Sequence, residues 1–288
     1  GVSYRYAGAT RESLHGVSLE LREGTVTGLI GRAEAGKTTL CLAASGLAPK
    51  VVGGRLSGAV GVDLASTASW PMHRVCEEVV IGLQDPAGQL SHVADTVFAE
   101  VAFGPANLGL PRDVVVERTW SALELVGVPE LAERDPARLS GGQQQLVVLA
   151  GLLAMRARHL ILDEPLAHLD AAAAALVVRA VRAAADGGAA VLVAEQRIDE
   201  LEPMCDSVAV MGVGNIIDEG PPADVFARPS LAALGLETSA GRIRRLLAEA
   251  GVATAAMEAG LGPSATEPGQ GLAAAEARVE PAGSEPAS

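Results

Sequence analysis

The chain has 288 residues, 49 % of them hydrophobic, which is enough to bury a full core in one large domain or one domain plus appendages. A formal charge of −13 argues against nucleic acid or an anionic bilayer held by charge alone, and no apolar run reaches the ~18 residues of a membrane helix. Cys41, Cys76 and Cys205 are scattered, odd in number and without metal-ligand spacing, and no basic-then-apolar leader is visible, so the expectation is a soluble, cytoplasmic protein without a disulfide scaffold.

The chain opens on Gly1 and enters a strand almost at once, which reads as a piece cut a few residues short of that strand's start. Strands are predicted over 17–21 and 26–30, separated by the turn Arg22-Glu23-Gly24. The second runs into Gly31-Arg32-Ala33-Glu34-Ala35-Gly36-Lys37-Thr38, a GxxxxGK[ST] loop, and a helix is predicted over 38–45. This strand–loop–helix context is what a phosphate loop requires: backbone N–H groups wrap the β-phosphate, Lys37 neutralises the β- and γ-phosphates, and the Thr38 hydroxyl ligates Mg²⁺. Only two lysines occur in the chain, so a plain surface-lysine reading of Lys37 fits poorly. Residues 51–70, rich in Gly and Val, read as strands of an antiparallel lobe, and 79–83 as a short strand ending at Gln84.

Residues 95–157 read as helical, with breaks at Gly104-Pro105, Gly109 to Pro111, Gly127 to Pro129 and Asp135-Pro136. Within that block Leu139-Ser140-Gly141-Gly142-Gln143 places a hydroxyl and two glycines at a helix start, where free N–H groups and the positive dipole end can hold a phosphate. The apolar run Leu160-Ile161-Leu162 then ends in Asp163-Glu164-Pro165, suited to a buried Mg²⁺ ligand followed by a group that polarises water. Strands at 159–162, 190–194 and 208–211 alternate with helices at 171–185 and 198–204, the pattern of a mostly parallel sheet with helices on its faces. An amphipathic helix is predicted over 240–250, and from 252 the Ala/Gly/Pro/Glu/Ser mixture reads as a disordered tail or linker.

The phosphate loop, the Leu139–Gln143 segment and Asp163-Glu164, in that order, resemble the nucleotide-binding cassette of ABC-type ATPases. The resemblance implies an α/β P-loop NTPase fold: an ABC cassette over 1–230 with an antiparallel β lobe, a RecA-like parallel-sheet core and a helical insert at about 95–157. A short helical extension over 231–251 and the tail at 252–288 would follow. It further implies ATP and Mg²⁺ as ligands. Tyr6 would stack on adenine (Tyr4 competes for the role, and a plain strand residue is the alternative), and Gly31, Arg32, Ala33, Glu34, Ala35, Gly36, Lys37, Thr38 and Thr39 would hold the phosphates. Thr38, Gln84 and Asp163 would ligate Mg²⁺, Glu164 would act as base, and Gln84 would contact the attacking water. Leu139, Ser140, Gly141, Gly142 and Gln143 would face the ATP of a second cassette. Ala167-His168-Leu169-Asp170 matches the loop that crosses the dimer interface; Asp170 counts as a site residue and His168 carries little weight. Gln84-Asp-Pro-Ala-Gly-Gln89-Leu90 and Val101-Ala-Phe-Gly-Pro-Ala-Asn-Leu-Gly-Leu-Pro111 look like the energy-coupling-factor subfamily, which drives vitamin and transition-metal-ion uptake.

Three positions depart from the family pattern. Glu34 stands where a further loop glycine is usual, Leu146 where arginine is usual, and Gln196 where a histidine touches the γ-phosphate. An amide can donate to a phosphate oxygen but cannot carry a proton near neutral pH, so slow hydrolysis with retained binding is expected. The chain then reads as an ATPase subunit peripheral on the inner face of the cell membrane. Its partners would be a transmembrane transport subunit and a second cassette, in a homo- or heterodimer or in tandem within one polypeptide. No nucleic acid and no direct lipid insertion are expected. The alternatives are a catalytically weak half of an asymmetric pair, a regulatory nucleotide-binding subunit, and a non-transport ABC-like ATPase of DNA repair or translation; the last would show heptad arms or a basic face.

Overall fold

The computed structural model describes residues 1–249 apart from Leu64 and His168. Gly1–Arg242 form one compact unit; a second begins at Ile243, and of it residues 243–249 are described, as helix. His168, the last residues of the 231–251 extension and the tail at 252–288 lie outside the described residues. Among the described residues no helix is long and apolar enough to cross a membrane.

The strands are β1 (Val2–Arg5), β2 (Leu14–Val17), β3 (Val26–Gly31), β4 (Arg55–Ser57), β5 (Gly61–Val62), β6 (Ala65–Ser66), β7 (Val79–Gly82), β8 (His159–Asp163), β9 (Ala190–Ala194), β10 (Ser207–Met211) and β11 (Ile216–Gly220). Six of them build the main sheet in the order β11-β10-β3-β9-β8-β7, parallel throughout except for the antiparallel edge strand β11. β2-β1-β4 form a separate antiparallel sheet, and β5-β6 a hairpin. This is the expected cassette architecture.

Side chains alternate across a strand, and the main sheet divides its residues between two cores accordingly. Val26, Ile30, Leu160, Leu162, Val191, Val193, Val208 and Val210 enter the core that contains the insert helices and the helix Ala171–Asp186. Leu29, Ile161, Leu192, Ala194, Ala209 and Met211 enter the other, with the helix Lys37–Ala44 and the antiparallel lobe. Complete burial of a side chain such as Leu162 stabilises by roughly 2 kcal/mol. Because β3, β8 and β9 are parallel and in register (Leu29↔Ala194, Asp163↔Ala194), Gly31, Asp163 and the residues after Ala194 emerge at one edge. Parallel sheets place ligands at that carboxyl edge.

Two local expectations are corrected. The strand predicted over 17–21 is β2 (Leu14–Val17), paired with β1 through Val2↔Val17 and Tyr4↔Leu14. Leu19 and Leu21 still pack against the core beside it, so their alternation reports burial and not a hydrogen-bonded ladder. Gly104-Pro105 does not break the insert: the helix Val97–Asn107 runs through it. Pro105 lacks only one N–H, two residues from the helix end, and the missing side chain of Gly104 admits Met155, whose Sδ would lie 2.6 Å from a Cβ there. Beyond residue 230, Leu231 and Leu236 are buried in the same core as the insert.

Candidate functional site

β3 delivers Gly31 into a loop that closes on the helix Lys37–Ala44. Two glycines are obligatory. A Cβ at Gly31 would stand 2.7 Å from the Met211 carbonyl oxygen, and Gly36, at φ 107°, could carry none without meeting the Ser13 carbonyl at 3.0 Å. Glu34 has φ 64°, a left-handed conformation that favours glycine, so the departure from the family pattern falls where the backbone most wants that residue. Its side chain is exposed.

Lys37 is buried, and its Nζ donates to the carbonyls of Gly31 (2.9 Å) and Arg32 (3.2 Å), curled inside the loop it is expected to serve. Asp163 is 2 % exposed, and its Oδ1 has no hydrogen-bond partner among the described residues. Burial pushes its carboxyl up, the Thr38 hydroxyl pulls it back, and the charge of Glu164 pushes it up again. A buried carboxylate with a free oxygen beside a threonine fits a hard cation held by one protein carboxylate, a hydroxyl and substrate phosphates. Among the described residues there is no cluster of three or more His, Cys, Asp or Glu to cage a metal, so any such ion here would rely on phosphate and water oxygens. Burial leaves the ionised Asp163 less favourable in the folded chain than in the unfolded one, so Asp163→Asn is expected to raise the melting temperature, read by differential scanning calorimetry. A lower melting temperature would contradict this account of Asp163.

Glu164 is also left-handed, at φ 52°, and its N–H donates to the Ala194 carbonyl (2.8 Å). Its side chain gathers two amides. Gln84 Nε2 donates to Oε2 at 2.8 Å, and Gln196 Nε2 donates to Oε1. Gln84 is set by its own loop: Gln89 Oε1 accepts from the Leu83 N–H (2.6 Å), Gln89 Nε2 donates to the Ile81 carbonyl (3.1 Å), and Asp85 caps the Ala87 N–H (3.1 Å). Glu34, Lys37, Thr38, Gln84, Glu164 and Gln196 thus line one cavity of about 440 Å³.

Of the aromatic pair, Tyr4 is fully buried and its hydroxyl donates to the Gly53 carbonyl, so its ring has no face for a base. Tyr6 is half-buried, packs against the Tyr4 ring at 4.9 Å and bonds Thr39 Oγ1 at 3.1 Å. Leu146 is buried in the insert core.

The Leu139–Gln143 segment does not line that cavity. Ser140 caps the helix Gly141–Met155: its Oγ accepts from the Gln143 N–H (3.4 Å), and Gln143 Oε1 accepts from the Ser140 N–H (3.1 Å). Gly141, at the first position of that helix, is exposed, and a Cβ there would meet nothing within 4 Å among the described residues. Asp170 likewise caps the helix Ala171–Asp186 through the Ala173 N–H (2.8 Å). Two residues escaped the sequence reading. Glu195 is a buried carboxylate accepting from three backbone N–H groups, and Arg197 donates to the Leu166 and Leu169 carbonyls. The signal for Glu195 was a charged residue directly following the wholly apolar strand β9.

A family model described as "ABC transporter" matches residues 14–167. An ABC transporter ATP-binding protein of Pyrococcus horikoshii is 35 % identical over 226 residues, 78 % of this chain and 79 % of the relative. One from Streptomyces avermitilis is 38 % identical over 229 residues, 78 % of this chain but only 40 % of the relative, which is therefore about twice as long. The energy-coupling factor transporter ATP-binding protein EcfA of Methanothermobacter thermautotrophicus is 33 % identical over 248 residues, covering 85 % and 78 %. Among solved structures, cbiO1 of Clostridium perfringens, described as part of the ABC transporter complex cbiONQ, superposes with a TM-score of 0.67 at 29 % identity, covering 85 % of this chain and 96 % of that one.

Proposed function

The chain belongs to the ABC transporter family of ATP-binding proteins, and from that footing we propose that its Lys37–Glu164 cavity binds and hydrolyses ATP to drive a membrane-embedded transport partner. The observation that carries this reading is the convergence of Gln84 and Gln196 on Glu164, beside the buried Lys37 loop and the unpartnered Asp163 oxygen. Thr38, Gln84 and Asp163 would hold Mg²⁺. Bound there, the ion would neutralise charge on the β- and γ-phosphates.

The chain's own residues do the rest. Lys37 exchanges two loop carbonyls for phosphate oxygens, a stronger, charge-assisted pairing. With both amides on it, Glu164 has each oxygen engaged. Each oxygen keeps a second lone pair with which to accept from a water, and the second N–H of the Gln196 amide is free to donate to a γ-phosphate oxygen. The Leu139–Gln143 segment is absent from the cavity, which supports a second cassette that supplies it. ATP then favours the paired state by its higher affinity for it.

The transporter is read as the energy-coupling-factor type, taking up a vitamin or a transition-metal ion, with the chain peripheral on the inner face of the membrane. Support comes from the Gln84–Leu90 and Val101–Pro111 segments and the likeness to EcfA. A second reading is favoured by Gln196 and by the doubled length of the Streptomyces relative: the chain is the weaker cassette of an asymmetric or tandem pair, completing a better site on its partner. Gln196→His tests it through steady-state phosphate release. On the weaker-half reading turnover rises at least about tenfold, as a ring able to carry a proton replaces an amide that cannot. No gain, with wild type well above a Glu164→Gln blank, makes Gln196 an accepted substitute and favours a symmetric homodimer.

A further inference from the structure

Gln196 hangs on a carboxylate that the chemistry above does not use. Glu195 is 2 % exposed, and a carboxylate at that depth persists only with donors around it. Among the described residues it has three, all from the backbone. Oε1 accepts from the N–H groups of Gln196 (2.7 Å) and Arg197 (3.2 Å), and Oε2 accepts from Leu166 (3.1 Å).

The third bond is the informative one. A serine or threonine hydroxyl could cap the two local N–H groups by itself. Leu166 belongs to another segment, two residues past Glu164, and a second carboxylate oxygen is needed to reach it. One side chain therefore spans from the segment that presents Gln196 to the segment that presents Glu164. Arg197 adds a parallel tie: Nη1 donates to the carbonyls of Leu166 (2.8 Å) and Leu169 (3.2 Å), while Nη2 pairs with Glu200. The tied stretch ends at Asp170, the cap of the next helix.

We propose that Glu195 is a positioning residue: by bonding Gln196, Arg197 and Leu166 together it holds the Gln196 amide on Glu164 and yokes that amide's movement to the 166–170 loop. This rests on the ATPase reading of the site. When the Gln196 segment shifts toward a γ-phosphate, the loop that leads to Asp170 shifts with it. A nucleotide at this cavity is thereby felt on the surface that a second cassette would meet.

The test is Glu195→Gln, which keeps shape but presents an N–H₂ to one of the three donors. Two readouts are taken on the full chain. In steady-state ATP turnover, Glu195→Gln is expected to lower kcat about tenfold, the loss of one charge-assisted bond, with KM changed less than about twofold. In a Gln196→Ala background the same substitution is expected to change kcat by less than about twofold, because its route of action is gone. An equal loss in both backgrounds would mean a merely structural role and overturns the proposal. The second readout needs no turnover: amide hydrogen exchange at Leu166 and Gln196 is expected to accelerate together in Glu195→Gln, and unchanged protection at Leu166 overturns the yoke. If wild-type turnover equals that of Glu164→Gln, the ATPase reading fails and the exchange result alone decides the positioning role. Should Glu195→Gln fail to fold, Glu195→Asp, one methylene too short to span to Leu166, is read in the same two assays with the same expectations.

Discussion

Glu164→Gln is expected to lower ATP turnover by roughly two to three orders of magnitude while leaving ATP affinity intact or higher. The carboxylate's surroundings give the reason. Its backbone is locked at φ 52° by the bond to the Ala194 carbonyl, and both carboxylate oxygens are addressed by amide donors from opposite sides of the sheet edge. Glutamine has the same shape but cannot take a proton from water, and its N–H₂ cannot accept from one of those two amides. It also removes a negative charge next to the site of the γ-phosphate, which favours the bound nucleotide. The signature of the variant is therefore ATP retained and not turned over, with paired cassettes accumulating when ATP is present. Turnover by rapid-quench phosphate release, beside equilibrium ATP binding, checks both halves. Weakened ATP binding together with undiminished turnover would remove Glu164 from its assigned place.

Lys37→Ala is expected to act one step earlier, weakening ATP binding by about a hundredfold or more, the loss of one to two charge-assisted bonds to phosphate. Lys37 is the ammonium group lining the cavity, and it is already inside the loop, bonded to the two carbonyls it would exchange for phosphate oxygens. The carboxylates of Glu12, Glu34 and Glu164 line the same cavity and Asp163 is buried beside it, while Arg32 in the loop is exposed, so no other ammonium group takes its place among the described lining residues. Isothermal titration with ATP reads the loss directly. Circular dichroism on the same sample checks that the fold persists, as the Gly31 and Arg32 carbonyls lose a donor. An unchanged dissociation constant in a folded variant would mean that the phosphates lie elsewhere.

The parts of this site that were legible in the sequence are those written as contiguous words. Gly31 to Thr38, Ser140 to Gln143 and Asp163-Glu164 each carry their chemistry within a few residues, and the flanking strands and helices could be read from apolar runs. What could not be read was the meeting of Gln84 and Gln196 on the two oxygens of Glu164. That depends on the strand order β9-β8-β7, and no local pattern encodes it. Nor does composition say which of Tyr4 and Tyr6 is covered; the bond of Tyr4 to Gly53 across the lobe decides it. Edge strand β11 (Ile-Ile-Asp-Glu-Gly) has too weak an alternation to stand out, and the helix Met72–Glu78 mixes His, Arg, Cys and Glu without a clean period. The short helices Pro222–Phe226 and Pro229–Ala233 carried a usable signal that the reading missed, a proline at the first turn of each.

The most direct test is phosphate release from Mg²⁺-ATP by the purified chain over a wide range of protein concentration, with Glu164→Gln as the blank. The account predicts turnover above the blank whose rate per chain climbs with concentration, as each cavity gains the Leu139–Gln143 segment of a second cassette. Wild-type release no faster than the blank at any concentration would contradict it.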